Sequence, residues 1–206
     1  MNKQIVIGLT GGIGSGKSYA AAVLRELGVP ILDTDNAAKK VMTSDYEVKQ
    51  QLIDVLGEEA YLPTGELNKT HIASFLFQNE KNATIINGIV HPAVYRVFLE
   101  WKKEFIDVPI IGMETAILFE SGFDKFVDVS VGITASEETR IQRVMKRDGV
   151  SAEQVKERLR RQLSEDNLTA KVDYIITNEE GKSLLSKLKT LLTTLYERFS
   201  LEKFVQ

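Results

Sequence analysis

Five short apolar runs punctuate the chain, at Gln4–Leu9, Val29–Asp33, Val108–Met113, Val127–Ile133 and Asp173–Thr177, and each ends in or beside a polar residue. Stretches with helical spacing lie between them. Strands that are apolar on both faces and alternate with helices predict a parallel sheet covered on both sides, with ligands gathered at the carboxyl ends of the strands. The alternation fails twice. Between Thr34 and Asp107 the pattern reads as helices throughout, including an amphipathic helix from about Ala93 to Phe105, which predicts an inserted helical subdomain. Within it, His91 precedes Pro92; a residue before proline is biased away from the α region, so a helix break is expected there. Between Arg140 and Arg161 fall six of the chain's nine arginines, on two helical patterns separated by Asp148-Gly149-Val150-Ser151. That reads as a helical hairpin with a charged inner face. The tail from Gly181 to Gln206 reads as one terminal helix packed on the sheet. The expected organisation is a single α/β domain with core segments 1–33, 107–139 and 167–206, a helical subdomain 34–106 and a helical hairpin 140–166.

The stretch Gly8 to Leu27, GLTGGIGSGKSYAAAVLREL, joins the first strand to the first helix. Gly11, Gly16, Lys17 and Ser18 satisfy G-x-x-x-x-G-K-[ST], in the strand, loop and helix context that this phosphate-binding motif requires. Its glycines permit positive φ and leave no side chain in the way of a phosphate, so successive backbone N–H groups can converge on the oxygens. Lys17 would add charge at the β- and γ-phosphates and Ser18 a hydroxyl ligand to Mg²⁺. The positive end of the following helix dipole would face the same anion.

Composition narrows the partners. The chain has 206 residues, 43% hydrophobic and 27% charged, with net charge -3 and no cysteine. That is ordinary soluble-protein chemistry with no bulk charge for nucleic acid, so a small-molecule partner is expected. Disulfides and thiolate metal sites are excluded, and with two histidines a zinc site is not expected. No apolar run reaches the ~20 residues of a membrane span, and Met1-Asn2-Lys3 leads directly into the first strand, so a cytoplasmic protein without membrane partners is expected.

Several other residues could carry chemistry. Asp33 closes the second strand, where a kinase needs a carboxylate to accept the proton of an attacking hydroxyl, and it is the candidate base. One aspartate of Asp33-Thr34-Asp35 could instead cap the following helix; for Asp35 capping and ligand contact both stay open. Glu114 ends the apolar run Ile110-Ile111-Gly112-Met113, and a role in the metal shell and a structural role both stay open. Arg143 and Arg147, four residues apart, share a helix face and could meet ATP phosphates or stack on adenine. His71, Trp101 and the phenylalanines at 75, 77, 98 and 105 read as structural. A GTPase switch would want N-K-x-D, whereas the chain has Asn68-Lys69-Thr70-His71. A mechanical ATPase would want a second domain to move. A small-molecule kinase with a core, an inserted acceptor subdomain and a water-excluding lid fits better.

The GLTGGIGSGKS start, Asp33-Thr34-Asp35, His91-Pro92, Ile117-Leu118-Phe119-Glu120, Arg143 with Arg147, Gln162 and Asn178 together resemble the dephospho-CoA kinase family over nearly the whole chain. The resemblance implies a P-loop NTPase fold in which ATP, with Mg²⁺, phosphorylates the ribose 3′-hydroxyl of dephospho-CoA, the last step of coenzyme A synthesis. It implies that Gly12, Ile13, Gly14, Ser15, Gly16, Lys17, Ser18 and Tyr19 hold the nucleotide together with Arg147 and Asn178, the latter near adenine. It also implies Asp33 as base, Asp35, Lys39, Lys69 and His91 at the acceptor, and Arg143 and Arg147 as catalytic lid residues. A monomer or weak homo-oligomer is expected. Lys39 and Lys69 stand where arginine is common in the family, keeping the charge but losing bidentate geometry. Ala116 replaces a usual proline, and Arg140 a frequent glutamine.

Overall fold

The five apolar runs form one sheet in the order β2-β3-β1-β4-β5: β1 (Ile5–Thr10), β2 (Ile31–Asp33), β3 (Ile110–Glu114), β4 (Val129–Thr134) and β5 (Tyr174–Thr177). The structure is a computed structural model and describes residues 3–160, 162, 164–179, 181 and 183–201. Arg161, the side chain of Phe77 and positions 202–206 of the expected terminal helix lie outside the described residues. β1 is the middle strand, parallel to both β3 and β4, with Leu9 paired to Glu114 and Thr10 to Gly132. Every residue of β1 is buried, as a strand with helices on both faces must be. Covering it are α1 (Lys17–Glu26), through Ala20, Ala21, Val23 and Leu24, and α9 (Leu184–Arg198), through Leu184, Leu188, Leu191, Leu192 and Leu195. A fully buried leucine contributes about 1.5–3 kcal/mol, so the five leucines of α9 suffice to dock the last helix.

The chain divides into two compact units, one holding the sheet up to Leu32 and from Phe105 onward, the other Asp33–Glu104. The second consists of α2 (Thr34–Ser44), α3 (Tyr46–Leu56), α4 (Lys69–Gln78) and α5 (Glu80–Lys103), around Val41, Val48, Leu52, Ile72, Ile86, Val90, Val94 and Phe98. Two expectations need correction here. The segment between α3 and α4 is not helical throughout: Gly57 and Gly65 adopt positive φ, a 3-10 turn spans Glu58–Ala60, and Tyr61 bridges Leu67. The break expected at His91-Pro92 does not occur, because α5 runs through Pro92. Proline removes one hydrogen bond and crowds the carbonyl four residues back, which here belongs to Gly88. Buried Ile86, Val90, Ala93, Val94 and Phe98 hold both halves of α5 against the same core, and that packing outweighs the local preference.

In the sheet unit β4 is followed by α6 (Glu137–Asp148), α7 (Ala152–Arg160) and the short α8 (Glu165–Thr169). Gly149, at φ 67, ends α6 in the left-handed conformation and turns the hairpin. Side-chain caps open α2, α3, α4, α5, α6, α8 and α9, from Asp33, Asp45, Asn68, Asn79, Ser136, Ser164 and Ser183. By contrast α1 starts on Gly16 with no side-chain cap. Its first amides are left to another acceptor.

Gly112 sits opposite Ile7 in the centre of the sheet, where an added Cβ would lie 2.6 Å from Ile7 Cγ1, 2.7 Å from Ile31 Cδ1 and 2.8 Å from the Ile7 carbonyl. Gly112→Ala is expected to lower stability by about 1–3 kcal/mol through overpacking, read as a lower denaturant midpoint at unchanged slope. An unchanged midpoint would show that the two isoleucines repack freely.

Candidate active site

β1 delivers the chain at Thr10 into the glycine loop, and the loop delivers it at Lys17 into α1. Gly14 and Gly16 hold φ of 79° and 92°, values that carry no steric cost for glycine. A Cβ on Gly16 would run into the Asn178 amide nitrogen, and one on Gly14 would approach the Arg140 carbonyl to 2.6 Å. These glycines are required by close approach as well as by conformation.

The loop's carbonyls are taken by side chains distant in sequence. Ser15 N–H donates to the Gly12 carbonyl (3.1 Å). Arg140 Nε donates to the Ile13 carbonyl (3.0 Å), and Asn178 Nδ2 to that of Ser15 (2.9 Å). Arg143 lies 3.4 Å from the carbonyls of both Gly14 and Ser15, and donates to the Asn178 carbonyl at 3.0 Å. Buried Asn178 follows β5, and its own N–H donates to the Thr134 carbonyl at 2.7 Å. The next residue, Glu179, accepts from Ser136 N–H (2.5 Å) and Thr139 Oγ1 (3.0 Å), tying this corner to the start of α6. The Ser136 amide holds the Glu179 carboxyl below the usual carboxylate range.

Lys17 and Ser18 converge on Glu114. Lys17 Nζ lies 2.7 Å and Ser18 Oγ 2.5 Å from the same oxygen, Oε1. The pair is shielded, with 11% and 3% of the Lys17 and Glu114 side chains exposed. Strand register explains the meeting: pairing of Glu114 with Leu9 brings a carboxylate to the level at which β1 turns into the loop. Beside it, the Ser15 hydroxyl is buried without a hydrogen-bond partner.

The site therefore offers uncapped helix amides, glycine-lined space, an ammonium and a hydroxyl beside a carboxylate. Such a set fits the phosphates of a nucleotide. It also fits a divalent cation that takes one or two protein oxygens and draws the rest from phosphate and water. Among the described residues no group of three or more His, Asp or Glu is placed to hold a metal by itself.

The other sequence-derived candidates are distributed as follows. Tyr19 is 62% exposed on the first turn of α1. Arg147 is turned to Asp148, with Nε 2.7 Å from Oδ1, and Arg158 reaches the other oxygen of Asp148 at 2.8 Å. Arg147 thus braces the hairpin turn, whereas Arg143 lies on the loop. The Arg147 hydrogen bond holds the Asp148 carboxyl below its ordinary value, which keeps the brace ionic. In the helical unit Asp33 is the N-cap of α2, accepting from Asn36 N–H (2.9 Å) and Asn36 Nδ2 (2.6 Å). Asp35 and Lys39 are exposed on α2, and exposed Lys69 opens α4. His91 is half-buried on α5, and burial pushes its imidazole below its ordinary value, so the ring is neutral at pH 7. His71 meets the Leu56 carbonyl at 2.8 Å, a contact internal to that unit. The contacts of Arg140, Gln162 and Glu179 with the loop and hairpin have no local sequence signature, since each spans 40 or more residues.

A glycine loop between a buried central strand and an uncapped helix, an acid closing the neighbouring strand and an arginine hairpin gripping the loop define a kinase of the P-loop fold. The family model described as dephospho-CoA kinase matches residues 5–183, and the chain belongs to that family. A dephospho-CoA kinase from Bacteroides fragilis is 40% identical over 194 residues, 94% of each chain. A crystal structure from Thermus thermophilus superposes with a TM-score of 0.81 at 32% identity, covering 94% of this chain and 98% of the other. Dephospho-CoA kinase from Campylobacter jejuni shares the fold, with a TM-score of 0.67 at 20% identity and the same coverage.

Removing Lys17 strands a buried carboxylate, so Lys17→Met is expected to cost about 2 kcal/mol in stability beyond any loss of nucleotide binding. Adding Glu114→Gln should recover most of that loss while leaving nucleotide binding defective, as read by denaturant melts and calorimetry. Additive losses in the double variant would show that the pair is not coupled.

Proposed function

We propose that this protein transfers the γ-phosphoryl group of Mg²⁺·ATP to the ribose 3′-hydroxyl of dephospho-CoA, giving coenzyme A and ADP. The observation that carries the reading is the glycine loop with Lys17 and Ser18 drawn onto Glu114, in a chain of the dephospho-CoA kinase family. A bond forms between the 3′-oxygen and the γ-phosphorus as the bond from that phosphorus to the β-phosphate oxygen breaks, and the hydroxyl proton passes to Asp33. Positioning and charge stabilisation do most of the work in such a transfer. Mg²⁺ neutralises charge on the β- and γ-oxygens when bound, with Ser18 as its hydroxyl ligand and Glu114 at its water shell. Lys17 exchanges its contact with Glu114 for the phosphates, and the amides of the loop hold their oxygens.

Gly12 through Tyr19 form the nucleotide side of the reading, with Asn178 steadying the loop next to the base. Arg143 is the lid cation nearest the loop, and Arg147 reaches the nucleotide on releasing Asp148. Asp35, Lys39, Lys69 and His91 make up the acceptor side: two ammonium groups for the anionic part of dephospho-CoA, and a neutral imidazole able to donate and accept hydrogen bonds. A cysteine-free chain that consumes ATP suits a cytoplasmic setting.

Asp33 can serve as base without giving up its cap. Each carboxylate oxygen has two lone pairs and one contact to Asn36, which leaves room for a hydroxyl. Asparagine caps helices about as well as aspartate, so Asp33→Asn should leave the melting temperature and ATP affinity near wild type while lowering kcat by about 10²-fold or more. The check is ADP release with dephospho-CoA, alongside ATP titration; wild-type turnover in the variant would remove Asp33 from the role.

A further inference from the structure

Both polar groups of the Ile13 backbone are held by side chains of the hairpin region. Its carbonyl accepts from Arg140 Nε at 3.0 Å, and its N–H donates to Gln162 Oε1 at 2.8 Å. Arg140 is steered in turn by Glu165 of α8 at 3.5 Å, and only 12% of its side chain is exposed. The guanidinium and the Gln162 oxygen also fill the space beside Gly12 that a Cβ would need.

Peptide planarity gives these contacts a consequence. In a trans peptide unit the C=O and the N–H point in opposite directions, and all peptides in the chain are trans. Holding the Ile13 carbonyl on Arg140 therefore turns the Gly14 N–H to the opposite side. Drawing the Ile13 N–H to Gln162 turns the Gly12 carbonyl the other way, where it accepts from Ser15 N–H. Ile13 lies between Gly12 and Gly14, whose backbones impose little preference of their own. If the Ile13–Gly14 peptide flipped, it would present a carbonyl oxygen to an incoming phosphate instead of an amide.

We infer that Arg140 and Gln162 are positioning residues that latch Ile13 and thereby preset the Gly14 amide for the nucleotide's phosphates. The inference rests on the reading that this loop holds those phosphates. The latch touches the loop from behind, so it governs nucleotide affinity and leaves the acceptor side alone. Because its donors sit on α6 and its acceptor follows α7, it also fixes the hairpin to the loop at one residue.

The test uses the full chain carrying Arg140→Met, Gln162→Leu or both, which remove the polar groups at similar length. Calorimetry with Mg²⁺·ATP and with Mg²⁺·tripolyphosphate, which has no base, is paired with steady-state kinetics and thermal melts. Each single variant should weaken both ligands about 3- to 10-fold, the scale of one lost hydrogen bond. The double variant should lose less than the product of the two, because both changes free the same residue. The KM for dephospho-CoA should stay at the wild-type value. Arg140→Lys, which can still reach the carbonyl with one donor, should recover part of the affinity. The neutral Gln162→Leu separates the latch from simple loss of positive charge. Folded variants with unchanged affinity for ATP and tripolyphosphate would overturn the latch, as would equal weakening of ATP and dephospho-CoA. A wild type that binds neither ATP nor tripolyphosphate would overturn the reading of the loop itself.

Discussion

Backbone amides can hold a phosphate only if their carbonyls have somewhere else to go. In this protein the requirement is met by side chains brought in from the far end of the sheet unit: Arg140, Arg143 and Asn178 take loop carbonyls, while Ser15 N–H closes on Gly12. The rest of the unit can be understood as the means of assembling that ring of donors. Burial of β1 on both faces makes it a rigid base. β5 ends at Thr177, so Asn178 emerges beside the loop, and Glu179 fixes the start of the helix that carries both arginines.

The second constraint is electrostatic. A shielded ammonium beside a glycine loop needs a counter-charge, and Glu114 provides it through an oxygen that also accepts from the Ser18 hydroxyl. The pair holds Lys17 and Ser18 together, so both reach a nucleotide from one place. Low exposure strengthens these interactions and also makes either partner costly to leave alone. The helical unit is built differently. Asp35, Lys39 and Lys69 are exposed on short capped helices, as suits groups that must meet a large polar acceptor.

The sheet was legible because its signal is local. Runs of Val and Ile with polar ends located all five strands to within one or two residues, and the glycine motif located the loop. Glu114 was visible as an acid closing an apolar run, although its partner Lys17 followed only from register. What sequence patterns missed was long-range. The proline rule called for a break at His91-Pro92, and burial of α5 along its length overrode it. The glycines at 57 and 65 marked a turn segment that helical periodicity had absorbed. Arginine spacing pointed equally to Arg143 and Arg147, but Asp148 draws the second away to brace the turn. The roles of Arg140, Gln162 and Glu179 depend on contacts across the fold that no window of sequence contains.

The central claim is that a loop organised in this way passes its γ-phosphoryl group to one sugar hydroxyl and to no other acceptor. The most direct measurement is ADP release from Mg²⁺·ATP with dephospho-CoA, adenosine, AMP, CMP or no acceptor, with mass spectrometry locating the added phosphate. The account predicts turnover with dephospho-CoA alone and a single new phosphate on its ribose 3′-oxygen. Preference for another acceptor, or ADP release that is indifferent to all of them, would contradict it.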